Sequence, residues 1–324
     1  MNLMLFLISF LLGVAGAWSI AEYGMKLSLM DKPNSRSSHE MITPKGGGIG
    51  ILTAFFVGSI VLSIPKGFWM PAVLLSMFSF WGDRSEIKPK VRLLFQLVAG
   101  TVLLIGIITE KGAGFTAHAL MPLMLVFVVG TANFYNFMDG INGIAGITGF
   151  IGFGLTGYYA LNFGNSSSLS YIANCISLAC LGFLPFNVPK AKVFMGDVGS
   201  ILLGFVFSGL VVYISQNVLD FVCLMSFLFP FYADELITMG IRLKNKEHLT
   251  KAHRRHLYQI LANEYDISHW KVSAGYGLFQ LIIGISILLV KNMGLIKVIS
   301  VLVLYGCFFA ICSFIFRKKM RDFA

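Results

Sequence analysis

Eleven apolar stretches run through the 324 residues, centred near Leu11, Phe55, Leu75, Leu103, Val128, Phe153, Ala179, Phe207, Phe227, Ile282 and Gly306. A helix that crosses a bilayer needs about 20 apolar residues, somewhat fewer when its neighbours bury it. The recurrence therefore predicts an all-α integral membrane protein, a multi-pass bundle of about 11 transmembrane helices. The third stretch, Phe68 to Trp81, is short and carries Pro71. Charged residues make up only 12% of the chain, against about 25% in a soluble domain, too few to coat a water-soluble globule of this size. No internal repeat supports an inverted-repeat transporter. Residues 1–324 read as a single transmembrane domain.

The charges sort the loops. Of the 25 Lys and Arg, 21 lie in segments near 23–45, 82–92, 187–199 and 238–271 and in the tail 317–324, and only Lys66, Lys111, Lys291 and Lys297 lie on the other side. The positive-inside rule then puts the N-terminus outside and the C-terminus in the cytoplasm. Thirteen of the 15 acidic residues share the inner face, leaving Glu110 and Asp220 outside, a bias which that rule does not demand. Chemistry is therefore expected in a cytoplasmic cleft. The net charge of +10 reads as topology bias, with no nucleic-acid partner. Five cysteines in apolar stretches, without metal spacing, read as small buried side chains. The opening MNLMLFLISFLLGVAG lacks a basic leader and a small-residue cleavage site, and reads as a retained first span.

Five inner loops carry the polar chemistry. The first, DKPNSRSSHEMITPKGGG, offers Asp31, Arg36, His39, Lys45 and three adjacent glycines. Those glycines suit either close helix packing or a backbone that approaches phosphate oxygens. The second, WGDRSEIKPKVRLLFQ, places Asp83 beside Arg84, where the pair is either solvated or functional. Its Lys88, Lys90 and Arg92 suit anchoring at anionic headgroups. In the third, NFYNFMDGINGIAG near 136–142, Asn133, Asn136, Asp139 and Asn142 recur every three residues. Such a stripe is expensive in lipid, and forms either an interhelical seam or a polar cleft wall. The fourth, VPKAKVFMGDVGS, sets Asp197 on a glycine turn behind Lys190 and Lys192. Asp197 suits a helix N-cap and equally a hard-metal ligand, since Mg²⁺ takes one or two carboxylates plus substrate phosphates. The fifth runs from Asp234 to His253, Arg254, Arg255 and His256 in LTKAHRRHLYQIL, where arginine forks suit phosphate. The set is a toolkit for metal-assisted phosphoryl transfer.

At this point the chain resembles the polyprenyl-phosphate N-acetylhexosamine-1-phosphate transferases, relatives of phospho-MurNAc-pentapeptide translocase within glycosyltransferase family 4. KVFMGDVGS and NFYNFMDGINGIAG carry the resemblance most specifically, supported by TPKGGG and the Asp83 loop, and all five loops match in order. The resemblance implies transfer of HexNAc-1-phosphate from a UDP-N-acetylhexosamine to undecaprenyl phosphate, with release of UMP and a need for Mg²⁺, or Mn²⁺ in its place. It implies a bacterial inner-membrane enzyme that starts a lipid-linked glycan such as the O-antigen of lipopolysaccharide, surrounded by membrane lipids and compatible with a homodimer. Position by position, Asp197 resembles the metal-binding aspartate and Phe194 an aromatic that stacks on uracil. Asp83 resembles the second of a paired-aspartate motif, and Asp139 with Asn142 an acidic pair. Lys45 falls in the first-loop motif, and Asp234 with HRRHLYQ in the last, in a form associated with O-antigen-initiating members.

Three departures follow: Gly82 stands where the first paired aspartate is expected, Asn142 replaces an acid, and Arg255 replaces a histidine. Gly82 disfavours a double displacement through a carboxylate nucleophile and favours direct attack by the lipid phosphate with help from Asp83. The expected catalytic set is then Asp83, Asp139, His253, Arg255 and His256. Lys45, Asn133, Asn136, Asn142, Phe194 and Lys192 would bind substrate, and Asp197 would hold the metal. GlcNAc, FucNAc and QuiNAc all fit as the sugar, with HRRHLYQ tilting toward the deoxy sugars. The competing class is a transporter or lipid-linked flippase without covalent chemistry, which the one-sided placement of ionisable groups disfavours.

Overall fold

The computed structural model describes residues 2–33, 38, 41–85, 87–112, 114–164, 166–248 and 253–322. Arg36 and His39 lie outside the described residues. Each of the eleven apolar stretches becomes helical. The first seven are α1 (Asn2–Tyr23), α2 (Ile49–Val61), α3 (Lys66–Arg84), α4 (Pro89–Glu110), α5 (Phe115–Phe137), α6 (Ile144–Asn162) and α7 (Ser167–Phe183). The eighth is α8 (Asp197–Ile214), and the ninth is split into α9 (Val218–Met225) and α10 (Phe229–Lys244) by a turn of 3₁₀ helix ahead of Pro230. A short α11 (Leu257–Asn263) then precedes α12 (His269–Val290) and α13 (Leu295–Asp322). Among the described residues nine helical segments are long and apolar enough to cross a membrane: the protein is a multi-pass helical membrane protein. At 13 residues, α2 is about 20 Å long, well under the about 30 Å of a bilayer core. The third stretch extends beyond its sequence limits to Lys66–Arg84, with Pro71 tolerated inside the helix.

Loops segregate to the two ends of the bundle. At one end the antiparallel pair β1 (Met30–Asp31) and β2 (Thr43–Pro44) lies beside the loop preceding α8, through a parallel bridge between Lys45 and Phe194. The tip of α13 reaches the same end, where Arg317 donates to the carbonyl of Arg255 (2.7 Å). At the opposite end Lys111 Nζ donates to the carbonyl of Ser215 (3.0 Å), and Lys291 pairs with buried Asp220 (3.4 Å). The core is one continuous apolar cluster from Leu5 in α1 to Phe309 in α13. Small residues let the helices close up, as expected where lipid offers no hydrophobic drive between them. A Cβ on Gly13 would collide with the backbone of Ala179, and one on Gly16 with Gly50, so α1 is packed into the bundle as an integral helix.

Candidate functional site

The N-terminus of α8 is the hub. The chain turns into this helix at Gly196 with φ +75°, and a Cβ there would sit 2.7 Å from both Asp83 Oδ2 and the Gly46 nitrogen. Only glycine meets both demands. The first helical amides of α8 lack intrahelical partners, and Asp83 supplies them from the end of α3: its Oδ1 accepts the Asp197 N–H (3.1 Å) and its Oδ2 the Val198 N–H (3.2 Å). Both Asp83 oxygens thus hold the first turn of α8. Asp197 itself points outward, a quarter exposed. Its Oδ2 pairs with Arg92, and its Oδ1 accepts from Asn136 Nδ2 (2.9 Å). Asn136 also donates to Ser200 Oγ (2.8 Å).

Two chambers meet at this point. The smaller, about 320 Å³, is polar and is lined by Lys45, Asp83, Asp139, Asn142 and Phe194 among others. The larger, about 630 Å³, has an apolar wall that includes Leu75, Phe78, Leu93, Phe134 and Phe137, and a polar floor of Arg92, Arg242, His253 and His256. Asn136, Asp197 and Gln259 line both. Asp139 lies in the loop between α5 and α6, where burial and then the charges of Asp197 and Asp83 push its carboxyl up to about 7.

The sequence expectations divide around this geometry. Lys45, Asp83, Asp139, Asn142, Phe194 and Asp197 converge on the smaller chamber. Asn133 instead faces the larger one, locked to Gln96 by an amide–amide hydrogen bond (2.7 Å). Asn142 is a loop clamp as well, donating from its side chain to the Pro189 carbonyl (3.3 Å) while its own carbonyl accepts from Ser273 Oγ (2.8 Å). Lys192 is exposed and lines neither chamber. The amides of the glycine run are spent on the protein itself: Gly46 and Gly47 donate to the Phe194 carbonyl and Gly48 to that of Met195. Close packing therefore explains Gly46–Gly48, and phosphate contact through those amides does not.

The basic run splits in two. Arg254 pairs with Glu264 (3.2 Å) and Arg255 with Glu247, so Arg255, expected at the phosphate, faces a carboxylate away from both chamber linings. His253 and His256 turn inward, their rings 4.8 Å apart. Burial first, then the charges of His256, Arg242 and Arg255, push His253 down to about 4, so it is a neutral imidazole at pH 7. Burial also lowers His256, despite the opposing pull of Asp234. Asp234 is fully buried and caps α11, accepting the N–H of Leu257 (2.8 Å) and Tyr258 (3.3 Å) and the hydroxyl of Tyr276 (2.7 Å).

Arg92, Arg242, Gln96 and Gln259 are among the chamber residues that sequence reasoning missed, as are Glu235 and His269. A cation just before a membrane helix reads as a headgroup anchor, and a neutral glutamine gives little signal. The eight residues between Asp83 and Arg92 held the only clue, since a tight turn there brings α4 back to the end of α3.

A divalent metal fits this donor set in one manner. Among the described residues no three His, Cys, Asp or Glu side chains form a ready cage. Asp197 is nevertheless outward-facing, already receives a cation in Arg92, and shares the smaller chamber with Asp83 and Asp139. One such carboxylate suits Mg²⁺ that brings its other ligands with a substrate phosphate.

A helical membrane protein with two joined chambers at one end defines a class, and the sequence comparisons show what it is similar to. Residues 66–215 match the profile described as Glycosyl transferase family 4. A probable undecaprenyl-phosphate N-acetylglucosaminyl 1-phosphate transferase of Bacillus subtilis is 25% identical, the alignment covering 94% of this chain and 90% of the relative. An undecaprenyl-phosphate alpha-N-acetylglucosaminyl 1-phosphate transferase of Thermotoga maritima is also 25% identical, over 78% of each chain. A phospho-N-acetylmuramoyl-pentapeptide-transferase of Staphylococcus saprophyticus is 32% identical over 38% of this chain and 40% of its own.

Proposed function

We propose that the protein transfers HexNAc-1-phosphate from a UDP-N-acetylhexosamine to undecaprenyl phosphate, releasing UMP and starting a lipid-linked glycan such as O-antigen. The observation that carries this reading is the shared wall of Asn136, Asp197 and Gln259 between a polar and an apolar-walled chamber. A nucleotide sugar suits the former and a lipid phosphate the latter. The names of the relatives support the same general reaction. In this reading the loop-rich end faces the cytoplasm of a bacterial inner membrane, and the distribution of Lys and Arg supports that orientation.

An oxygen of the lipid phosphate attacks the β-phosphorus of the donor, the bond from that phosphorus to the bridging oxygen breaks, and UMP departs. Catalysis of this type is mostly positioning and charge neutralisation. Asp197 would hold Mg²⁺ or Mn²⁺, which when bound neutralises diphosphate charge. Asp83 keeps the α8 N-terminus, and with it Asp197, in place. Lys45 and Phe194 in the smaller chamber suit donor phosphate and uracil, Arg92, paired with Asp197 on the shared wall, suits the donor diphosphate, and Arg242 suits the incoming lipid phosphate. His253 and His256, uncharged at neutral pH, offer hydrogen bonds rather than charge.

Membranes carrying Asp197→Ala, supplied with radiolabelled donor and undecaprenyl phosphate, should lose transfer by about 10²–10³-fold, the usual size for removal of one electrostatic anchor. Undiminished formation of labelled lipid would remove Asp197 from the mechanism. Mass spectrometry of the wild-type lipid product identifies the sugar.

A further inference from the structure

Arg92 reaches Asp197 from the first turn of α4. One guanidinium nitrogen pairs with Asp197 Oδ2 while another donates to the Gly82 carbonyl (3.4 Å). The other Asp197 oxygen accepts from Asn136, so both carboxylate oxygens are engaged by the protein's own donors. Position 82 offers Arg92 only a carbonyl. A Cβ there would lie 3.5 Å from the guanidinium and 3.4 Å from Ile87, ordinary contact distances, so an acidic side chain would fit beside Arg92, and this chain lacks one. The side chains of Arg92 and Asp197 are 38% and 24% exposed, at the junction of the two chambers.

A divalent cation that approaches Asp197 must displace this guanidinium or sit against it, and like charges a few ångströms apart repel strongly where water is scarce. A diphosphate removes the conflict. Guanidinium forks bind phosphate oxygens in pairs, so the ligand gives Arg92 another partner while it brings oxygens to the metal. Taking Asp197 as the metal ligand, as proposed above, we infer that Arg92 is an internal competitor at the metal position that makes divalent-cation binding and nucleotide-diphosphate binding depend on each other. The metal alone binds weakly, the metal with diphosphate binds tightly, and by linkage each ligand strengthens the other by the same factor.

The test is Mn²⁺ binding, followed by electron paramagnetic resonance, to the purified full-length protein with and without UDP. A protein-free titration accounts for Mn²⁺–UDP formed in solution. Saturating UDP should tighten Mn²⁺ binding to the wild type by roughly tenfold, within the usual range for coupled ligands. Arg92→Gln should bind Mn²⁺ alone roughly tenfold more tightly than wild type and gain little from UDP. Arg92→Lys keeps the positive charge and should stay weak for the metal alone. The inference is overturned if Arg92→Gln binds Mn²⁺ alone no more tightly than wild type, or if Arg92→Lys matches Arg92→Gln. Asp197→Asn separates this from the parent reading. Loss of Mn²⁺ binding in Asp197→Asn supports that carboxylate as the ligand, and unchanged binding means that the metal assignment itself has failed.

Discussion

Two helices, α8 and α11, begin in the same manner and end up with different duties. Each has its first two amides held by a carboxylate from a different helix: Asp83 for α8 at 3.1 and 3.2 Å, Asp234 for α11 at 2.8 and 3.3 Å. At α11 the charge is answered on the spot, by the Tyr276 hydroxyl at 2.7 Å and the Arg317 guanidinium at 3.8 Å, and Asp234 is wholly buried. At α8 the capping carboxylate has a second one beside it, Asp197, and the compensating cation is set on that outer carboxylate. The former arrangement closes a joint. The latter places two carboxylates and one guanidinium at the mouth of two chambers.

The largest effect should come from breaking the closed joint. Asp234→Ala strands Arg317 and uncaps α11, and loss of one member of a buried ion pair costs about 3–5 kcal/mol. Thermal unfolding in detergent should show a large drop in Tm. A variant as stable as wild type would dissolve the distinction between the two joints. Asp83→Asn should cost less, about 2 kcal/mol, near the upper range for an unmet buried polar group. Its new amide nitrogen faces an N–H donor, so α8 should shift, and transfer should fall out of proportion to stability. Equal kcat for Asp83→Asn and wild type would show that α8 needs no carboxylate there.

The smallest effect is a pH dependence at the α11 side. His253, held down to about 4 against an ordinary value near 6.5, takes up its proton more readily in the unfolded chain. Stability should therefore be full above about pH 6.5 and decline as the pH falls toward 4. His253→Gln should flatten that part of the Tm profile, and an unchanged slope would assign the dependence to other groups.

The fold was largely legible because lipid imposes a simple code. All eleven apolar stretches became helices, and the division of charge between loops matches the two ends of the bundle. The length of α2 was not legible, because nothing in the sequence shows that the amides of Gly46–Gly48 bond to the segment before α8. At the site, Asp197 and Asn136 were readable as polar residues where lipid-facing chains avoid them. Arg92 was not, because a basic residue before a membrane helix has an adequate reason to be there without a carboxylate 105 residues away. Arg255 misled in the opposite sense: sequence counts its charge but does not see Glu247 already facing it.

The junction of the first loop with the segment before α8 is made of peptide groups. Phe194 donates its N–H to the Pro44 carbonyl and offers its own carbonyl to Gly46 and Gly47, while Lys45 donates to Leu29. Such a scaffold is largely indifferent to which side chains decorate it, apart from its glycines. Its rim residues can be exchanged one at a time without unfastening the frame, so the lining of the smaller chamber can be redrawn while the mould is inherited unchanged.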